Sequence, residues 1–282
     1  MGSIIMPDKY ETLFGIIGVI IEIGPVVLSL LVSLCLLLCI IRDISHGSGS
    51  RKTILFAFGM ACMLLSNIYW IIYDILRSGQ RMPFAANEIS EWALFLLLGA
   101  ALSAAFPKKD SALVQKIFAA VFAAANTALW IAWSGEWIQD VVTGLCLLYF
   151  LCNIAQGAKD TKALGRIQWA ALSAACVLSV TFQALCFFLP VSYTEIYNVM
   201  SEPLSSLSLS AFVLYSFVKA LKLRSSGDRG KSSCYAFIAY ALCLCGMYMT
   251  SGLFYVGFYI ANSVFTITIY RSFAKEGGHD IR

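Results

Sequence analysis

Long apolar blocks recur along the chain, and short polar connections separate them. About 20 consecutive apolar residues suffice for one helix to cross a bilayer, and a water-soluble core does not need uninterrupted blocks of that length. The pattern therefore predicts an all-α, polytopic transmembrane helical bundle that forms a single membrane domain over residues 1–282. The predicted spans lie at 12–41, 53–77, 87–106, 113–133, 137–156, 167–189 and 201–221, followed by one long block at 234–270.

Two of these blocks are too long for one straight crossing. The first block, 12–41, would measure about 45 Å as a helix, and Gly24-Pro25 predicts a kink or break near Ile21. The last block would measure about 55 Å, so two spans with a turn near Thr250 to Gly252 fit better. The result is nine spans: one leading helix and four hairpins, at 53–106, 113–156, 165–222 and 234–271.

Basic residues predict the orientation of the bundle. In the nine-span arrangement, 17 of the 20 Lys and Arg residues fall on one side, in connections 42–52, 107–116, 157–166 and 219–233 and in the tail from 271. Short basic loops stay in the cytoplasm. We therefore expect an N-terminus outside, a C-terminus in the cytoplasm and a location in the cell membrane, either plasma or inner.

Composition agrees with a chain whose main partner is the lipid bilayer. Hydrophobic residues make up 60% and charged residues 13%, against roughly 25% charged in soluble domains, and we expect no nucleic-acid partner. The ten cysteines fall in apolar segments, where buried free thiols are the simplest interpretation. The only histidines, His46 and His279, lie in a predicted inner loop and in the tail, so we expect no metal site and no cofactor. No catalytic residue is assigned; an enzyme is disfavoured but stays possible.

Acidic residues concentrate on the predicted outer side. Ten of the 16 acids lie there, against three basic residues, for a net charge of −7 on that side. Such a vestibule would raise the local concentration of cations and amines. Ordinary solvated loop charge is the alternative explanation. The acids predicted on this side are Asp8, Glu11, Glu22, Asp74, Glu88, Glu91, Glu136, Asp140, Glu195 and Glu202.

Span 2 carries a polar face near its predicted outer end. Asn67, Trp70, Asp74 and Arg77 follow spacings of three, four and three, so they share one side of a helix. Polar residues in a span usually face the bundle or a wet cavity. Asp74 and Arg77 can pair at i, i+3, although both lie close enough to the end of the span to reach the headgroups.

The start of span 3 supplies the other candidate ligand-binding residues, Glu88, Glu91 and Trp92. Acids in the first turn of a helix are also favoured by its dipole. The alternative is a pocket between spans 2 and 3, lined by Asp74, Arg77, Arg81 and Glu91. Glu22, three residues before Pro25, is a further candidate, because a carboxylate beside a proline-freed carbonyl can hold a cation; an interfacial glutamate is the simpler interpretation.

Two other patterns concern aromatic and small residues. The stripe of Trp130, Trp133 and Trp137 is either an aromatic box for an ammonium ion or an interfacial belt. Small residues in span 3 (Gly99, Ala100, Ser103, Ala104) and span 4 (Ala119, Ala120, Ala123, Ala124) predict that these two spans are neighbours.

These features favour a small transporter or permease-like bundle whose outward-facing acidic vestibule admits a cation or protonated amine. A sensory or receptor-type module that signals to a separate cytoplasmic partner is the second hypothesis, and a structural membrane subunit is the third. The sequence leaves the solute, any cytoplasmic protein partner and the oligomeric state open.

Overall fold

A computed structural model describes residues 8–76, 86–106, 112–188, 191–250 and 252–273; within these ranges, the side chains of 8–22, 48, 74–76, 186, 191–199 and 273 are not described. The structure is 93% helical, and the described residues form no strand. They form nine α-helices: α1 (Asp8–Asp43, followed by a π-helical turn at Ile44–Ser48), α2 (Arg51–Leu76), α3 (Ala86–Ala105), α4 (Leu113–Ser134), α5 (Trp137–Asp160), α6 (Arg166–Phe188), α7 (Val191–Ser225), α8 (Arg229–Met249) and α9 (Gly252–Phe273).

Each of the nine described helices contains a stretch of 20 to 26 residues that is long and apolar enough to cross a membrane. The predicted all-α bundle of nine membrane-spanning helices is therefore confirmed in its helix number and in the length and composition of its helices. The consecutive pairs α2–α3, α4–α5, α6–α7 and α8–α9 each pack side by side.

The predicted division of the last apolar block is also confirmed. Helix α8 ends at Met249, and Thr250 adopts an extended backbone that turns the chain into α9. Between α4 and α5 the chain reverses at Gly135, whose positive φ of 74° lets its N–H cap the carbonyl of Ile131. A left-handed residue at the end of a helix favours glycine because glycine has no Cβ to clash.

Two helix boundaries differ from the prediction. Helix α1 continues through Pro25 without a break, and α7 begins at Val191 and continues through Pro203 instead of starting at 201. A proline removes only one backbone hydrogen bond, and the flanking turns of a long helix can hold it in place. Proline was therefore a weaker boundary signal than the prediction assumed.

Eight helices surround the ninth. Around the ring, the packed neighbours follow the order α1, α2, α3, α5, α4, α6, α7 and α9, and α9 packs against α1 to close it. Helix α8 occupies the centre: 83% of the residues in its apolar stretch are buried, against 28–50% in the other eight helices. The predicted contact between spans 3 and 4 was wrong, since α3 packs against α2 and α5.

Polar side chains in the first half of α8 find hydrogen-bond partners within the bundle. Asp228 caps the helix by accepting from the Lys231 backbone N–H at 3.2 Å, and the nearby Lys231 ammonium lowers the pKa of Asp228. Two buried side chains then bind carbonyls of other segments. The Ser232 hydroxyl donates to Ala220 O at 2.8 Å, and the Tyr235 hydroxyl donates to Ala163 O at 3.1 Å.

Gly246 permits close packing of α8 against α9. A Cβ at this position would lie 2.7 Å from the ring of Phe258, so Gly246→Ala forces the two helices apart. We expect it to destabilise the protein by about 1–3 kcal/mol. The matched control is Gly257→Ala on α9, whose added methyl group meets nothing within 4 Å and should be neutral or stabilising. Thermal unfolding in detergent checks the pair, and equal midpoints for the two variants would contradict this packing.

Candidate functional site

A cavity of about 240 Å³ opens among α1, α2, α3, α4, α8 and α9. It lies where α2 and α8 end and where α3 and α9 begin, which is the end of the bundle that the basic residues predict to be outside. Trp133 lines the cavity and is 67% exposed, so it marks the mouth. One turn further along three of the helices, Met60, Leu98 and Thr266 are fully buried, which indicates that the bundle is packed below the cavity.

Glu91 is the only charged residue among the described residues that line this cavity. The Ser66 hydroxyl of α2 donates to its Oε1 at 3.0 Å, and the Tyr248 hydroxyl of α8 donates to its Oε2. Within the described part of the chain, no Lys or Arg forms an ion pair with it. The carboxylate is thus held between three helices by neutral donors, and its charge faces the cavity.

A second set of polar side chains joins three of the helices that line the cavity. The Tyr259 hydroxyl of α9 donates to Asn67 Oδ1 at 2.8 Å, and Asn67 Nδ2 donates to Ser29 Oγ of α1 at 3.0 Å. All three side chains line the cavity. This chain of hydrogen bonds joins α9, α2 and α1, so Asn67 has a structural role in holding the site together.

Most of the remaining wall is aromatic. Seven of the 16 lining residues are aromatic, and four of these are tyrosines of α8 and α9: Tyr240, Tyr248, Tyr255 and Tyr259. The ring centroids of Tyr248 and Trp130 lie 5.2 Å apart. Those of Tyr255 and Tyr259 lie 5.5 Å apart, in an edge-to-face contact. The other aromatic side chains are Trp70, Phe95 and Trp133. Aromatic faces attract cations, and here they surround a single carboxylate.

The structure brings together three of the eight residues predicted to bind a ligand. Asn67, Trp70 and Glu91 line the same cavity. Glu88 is buried but does not line it, and Trp92 donates its indole N–H to Thr143 Oγ1 of α5 at 2.8 Å. Because successive residues of a helix are rotated by about 100°, Trp92 faces α5 while Glu91 faces the cavity.

The other three candidates cannot be placed at the cavity. Glu22 and Asp74 lie in α1 and α2, but their side chains lie outside the described set, and Arg77 lies outside the described residues. Of the predicted tryptophan stripe, only Trp133 lines the cavity; Trp130 packs behind Tyr248, and Trp137 is exposed.

Sequence reasoning missed the contribution of α8 and α9. Tyr255, Tyr259 and Asn262 follow spacings of four and three on α9, and Tyr240 and Tyr248 are eight residues apart on α8. These spacings place each set on one face of its helix, so the signal was present. It was hidden because tyrosines near the ends of spans are also typical of interfacial belts.

Comparisons with known protein families, with curated protein sequences and with solved structures find no match for this chain.

A double-mutant cycle tests the link between Asn67 and Tyr259. Asn67→Leu removes the acceptor of the Tyr259 hydroxyl, and Tyr259→Phe removes the donor, so the two losses should overlap. We expect a coupling free energy of about 0.5–1.5 kcal/mol in thermal unfolding. Tyr149, an exposed tyrosine of α5, provides the control: Tyr149→Phe should be additive with Asn67→Leu. Additivity in both cycles would contradict the hydrogen bond.

Proposed function

We propose that this chain is an integral protein of the cell membrane that binds a small organic cation in the Glu91 cavity, from the outside, and transports it. The observation that carries the proposal is a single carboxylate facing an aromatic-walled cavity. The negative charge of the predicted outer side would concentrate such cations near the mouth.

The wall chemistry favours an organic ammonium ion over an inorganic one. Calcium takes six to eight oxygen ligands and magnesium requires octahedral oxygen coordination. The described residues contain no group of three His, Cys, Asp or Glu side chains that could hold a metal, and this cavity offers one carboxylate among neutral and aromatic groups. An alkylammonium ion needs one counter-charge and apolar or aromatic contacts, and both are present.

The size of the cavity supports a small solute. Drug-sized ligands occupy pockets of roughly 300–1,000 Å³, and this cavity holds about 240 Å³. A protonated amine or quaternary ammonium ion with a few carbon atoms fits such a volume.

Tight packing below the cavity and a contact between α1 and α9 at the opposite end of the bundle support transport by alternating access. Below the cavity the interior is packed, and at the other end of the bundle the Tyr270 hydroxyl of α9 donates to Asp43 Oδ2 of α1 at 2.6 Å. These contacts favour a state that is closed toward the predicted cytoplasmic side. Release on that side requires α1 and α9 to separate there, as when one part of a transporter rocks against another around a fixed site.

Ligand binding should depend on the charge of Glu91. We expect tetramethylammonium or n-butylammonium to stabilise the purified protein, by about 2.7 kcal/mol at a hundred times the dissociation constant. Glu91→Gln keeps the shape but removes the charge and one of the two acceptor oxygens, and should weaken binding by about tenfold to a hundredfold. Titration calorimetry measures the dissociation constants.

Glu136→Gln is the matched control, because Glu136 is exposed at the same end of the bundle and does not line the cavity. It removes one charge from the outer side and should leave affinity within about threefold, since exposed charges are screened by salt. Equal losses in both variants would show that general surface charge, and not a site at Glu91, binds the cation.

Transport needs a separate measurement. Uptake of radiolabelled tetramethylammonium into proteoliposomes should be saturable and should fall with Glu91→Gln but not with Glu136→Gln. Tetramethylammonium suits this test because it carries a permanent charge and does not cross the bilayer as a neutral amine. Binding without uptake would contradict transport while leaving the binding site intact.

Orientation is tested with single cysteines in a cysteine-free background. A cysteine at Glu136 should react with a membrane-impermeant maleimide added to intact cells, whereas one at Ser226, in the connection between α7 and α8, should react only after permeabilisation. The opposite pattern would place the Glu91 cavity on the cytoplasmic side.

A further inference from the structure

Two buried polar groups in the inner part of the cavity have no partner among the described residues. They are the Tyr240 hydroxyl and Asn262 Oδ1, on side chains that are only 1% and 3% exposed and that both line the cavity. A buried hydrogen-bonding group without a partner destabilises a protein, and most such groups in native structures are paired. A partner that enters the cavity is therefore expected.

Unused hydrogen-bonding capacity remains in either orientation of the Asn262 side-chain amide. Asn262 Nδ2 donates to the Met247 sulfur, at 3.6 Å, and the same amide lies beside the Tyr240 hydroxyl. In this orientation the Tyr240 hydroxyl lacks an acceptor and Asn262 Oδ1 lacks a donor. Exchanging the amide oxygen and nitrogen would offer the oxygen to Tyr240 and leave an amide N–H without an acceptor. A group that can both donate and accept hydrogen bonds serves either orientation.

This pair lies deeper in the bundle than the carboxylate. Tyr240 precedes Tyr248, which donates to Glu91, by about two turns of α8. Asn262 likewise lies about two turns of α9 beyond Tyr255, which lines the same cavity. We therefore expect a ligand that reaches both Glu91 and the pair to extend along the axis of the bundle.

The far end of the ligand must also be neutral. The described residues that line the cavity include no Lys or Arg, and a buried carboxylate without a counter-charge is strongly disfavoured. Zwitterionic amino acids therefore fit poorly. A hydroxyl or a primary amide fits, since each can donate to one member of the pair and accept from the other.

We propose that the ligand is an elongated ammonium compound with a hydroxyl or primary amide at its far end. Its ammonium lies at Glu91 and its far group binds Tyr240 and Asn262. This assignment rests on the proposed function and narrows it from organic cations to hydroxyl- or amide-bearing ones.

The experiment compares matched ligands on the purified full-length chain. Unbranched alkylammonium ions are titrated against ω-hydroxyalkylammonium ions with the same number of heavy atoms, with two to five carbons between nitrogen and oxygen. At the best length, the hydroxyl compound should bind about tenfold more tightly than its alkyl counterpart, the effect of a hydrogen bond to an otherwise unpaired buried group. An ω-amino acid of the same length should bind more weakly than either.

Two variants assign the preference to the pair. Tyr240→Phe and Asn262→Leu should each remove most of the hydroxyl preference, measured within each variant as the ratio of its affinities for the hydroxyl compound and its alkyl counterpart. Tyr235→Phe, on the same helix but outside the cavity, is the control and should retain the preference. Tyr240→Phe deletes a buried hydroxyl that has no partner among the described residues. The variant's thermal unfolding midpoint without ligand should therefore equal or exceed that of the wild-type protein. That result would exclude misfolding as the cause of the lost hydroxyl preference.

The outcomes separate this proposal from the one on which it rests. Equal affinity for hydroxyl and alkyl compounds at every length, with both weakened by Glu91→Gln, would overturn the hydroxyl assignment and leave the cation site standing. A hydroxyl preference that survives both Tyr240→Phe and Asn262→Leu would also overturn it. If no ammonium compound binds, the proposed function itself fails.

Discussion

Helix α8 has neighbours on every side, and the rest of the architecture follows from that burial. A helix with no outward face must pair its polar side chains with the helices around it, because no water or headgroup is within reach. The first half of α8 meets this requirement through Ser232 and Tyr235, which bind carbonyls of other segments. The second half does so incompletely: Tyr248 binds Glu91, and the Tyr240 hydroxyl faces the cavity with no hydrogen-bond partner in the described part of the chain. The cavity lies where the packing around the central helix is incomplete.

Among its described lining residues, the cavity places one charge within neutral and aromatic side chains. A carboxylate within a membrane-spanning bundle is costly and is usually paired or functional. Ser66 and Tyr248 offset part of that cost as hydrogen-bond donors, and a bound cation would offset more. The Ser29–Asn67–Tyr259 chain holds α1, α2 and α9 around the same space. Since α1 and α9 also meet at Tyr270 and Asp43 at the other end, one pair of helices contacts both the site and the opposite end of the bundle, which the proposed transport mechanism requires.

Hydropathy predicted the nine helices well because crossing a bilayer requires a minimum apolar length. It could not predict which helix is central. The apolar stretch of α8 has a mean hydropathy of 1.4, equal to the lowest among the nine described helices, and apolar side chains suit a lipid-facing surface as well as a protein interior. The same ambiguity explains the wrong pairing of spans 3 and 4. Gly99 does mark a close contact, but its neighbour is Tyr149 of α5.

Glu91, Asn67 and Trp70 were predictable because polar residues within spans are few, whereas the tyrosines of α8 and α9 resembled an interfacial belt.

The central claim is that the Glu91 cavity recognises positive charge, and one comparison isolates that property. The 2-hydroxyethyl-trimethylammonium ion and 3,3-dimethylbutan-1-ol have nearly the same shape, but a carbon atom replaces the charged nitrogen in the second. Calorimetric titration of the purified protein with both should show the ion binding at least tenfold more tightly, with the difference largely lost in Glu91→Gln. Equal affinities for the two compounds, or a preference for the ion that Glu91→Gln leaves intact, would contradict the account.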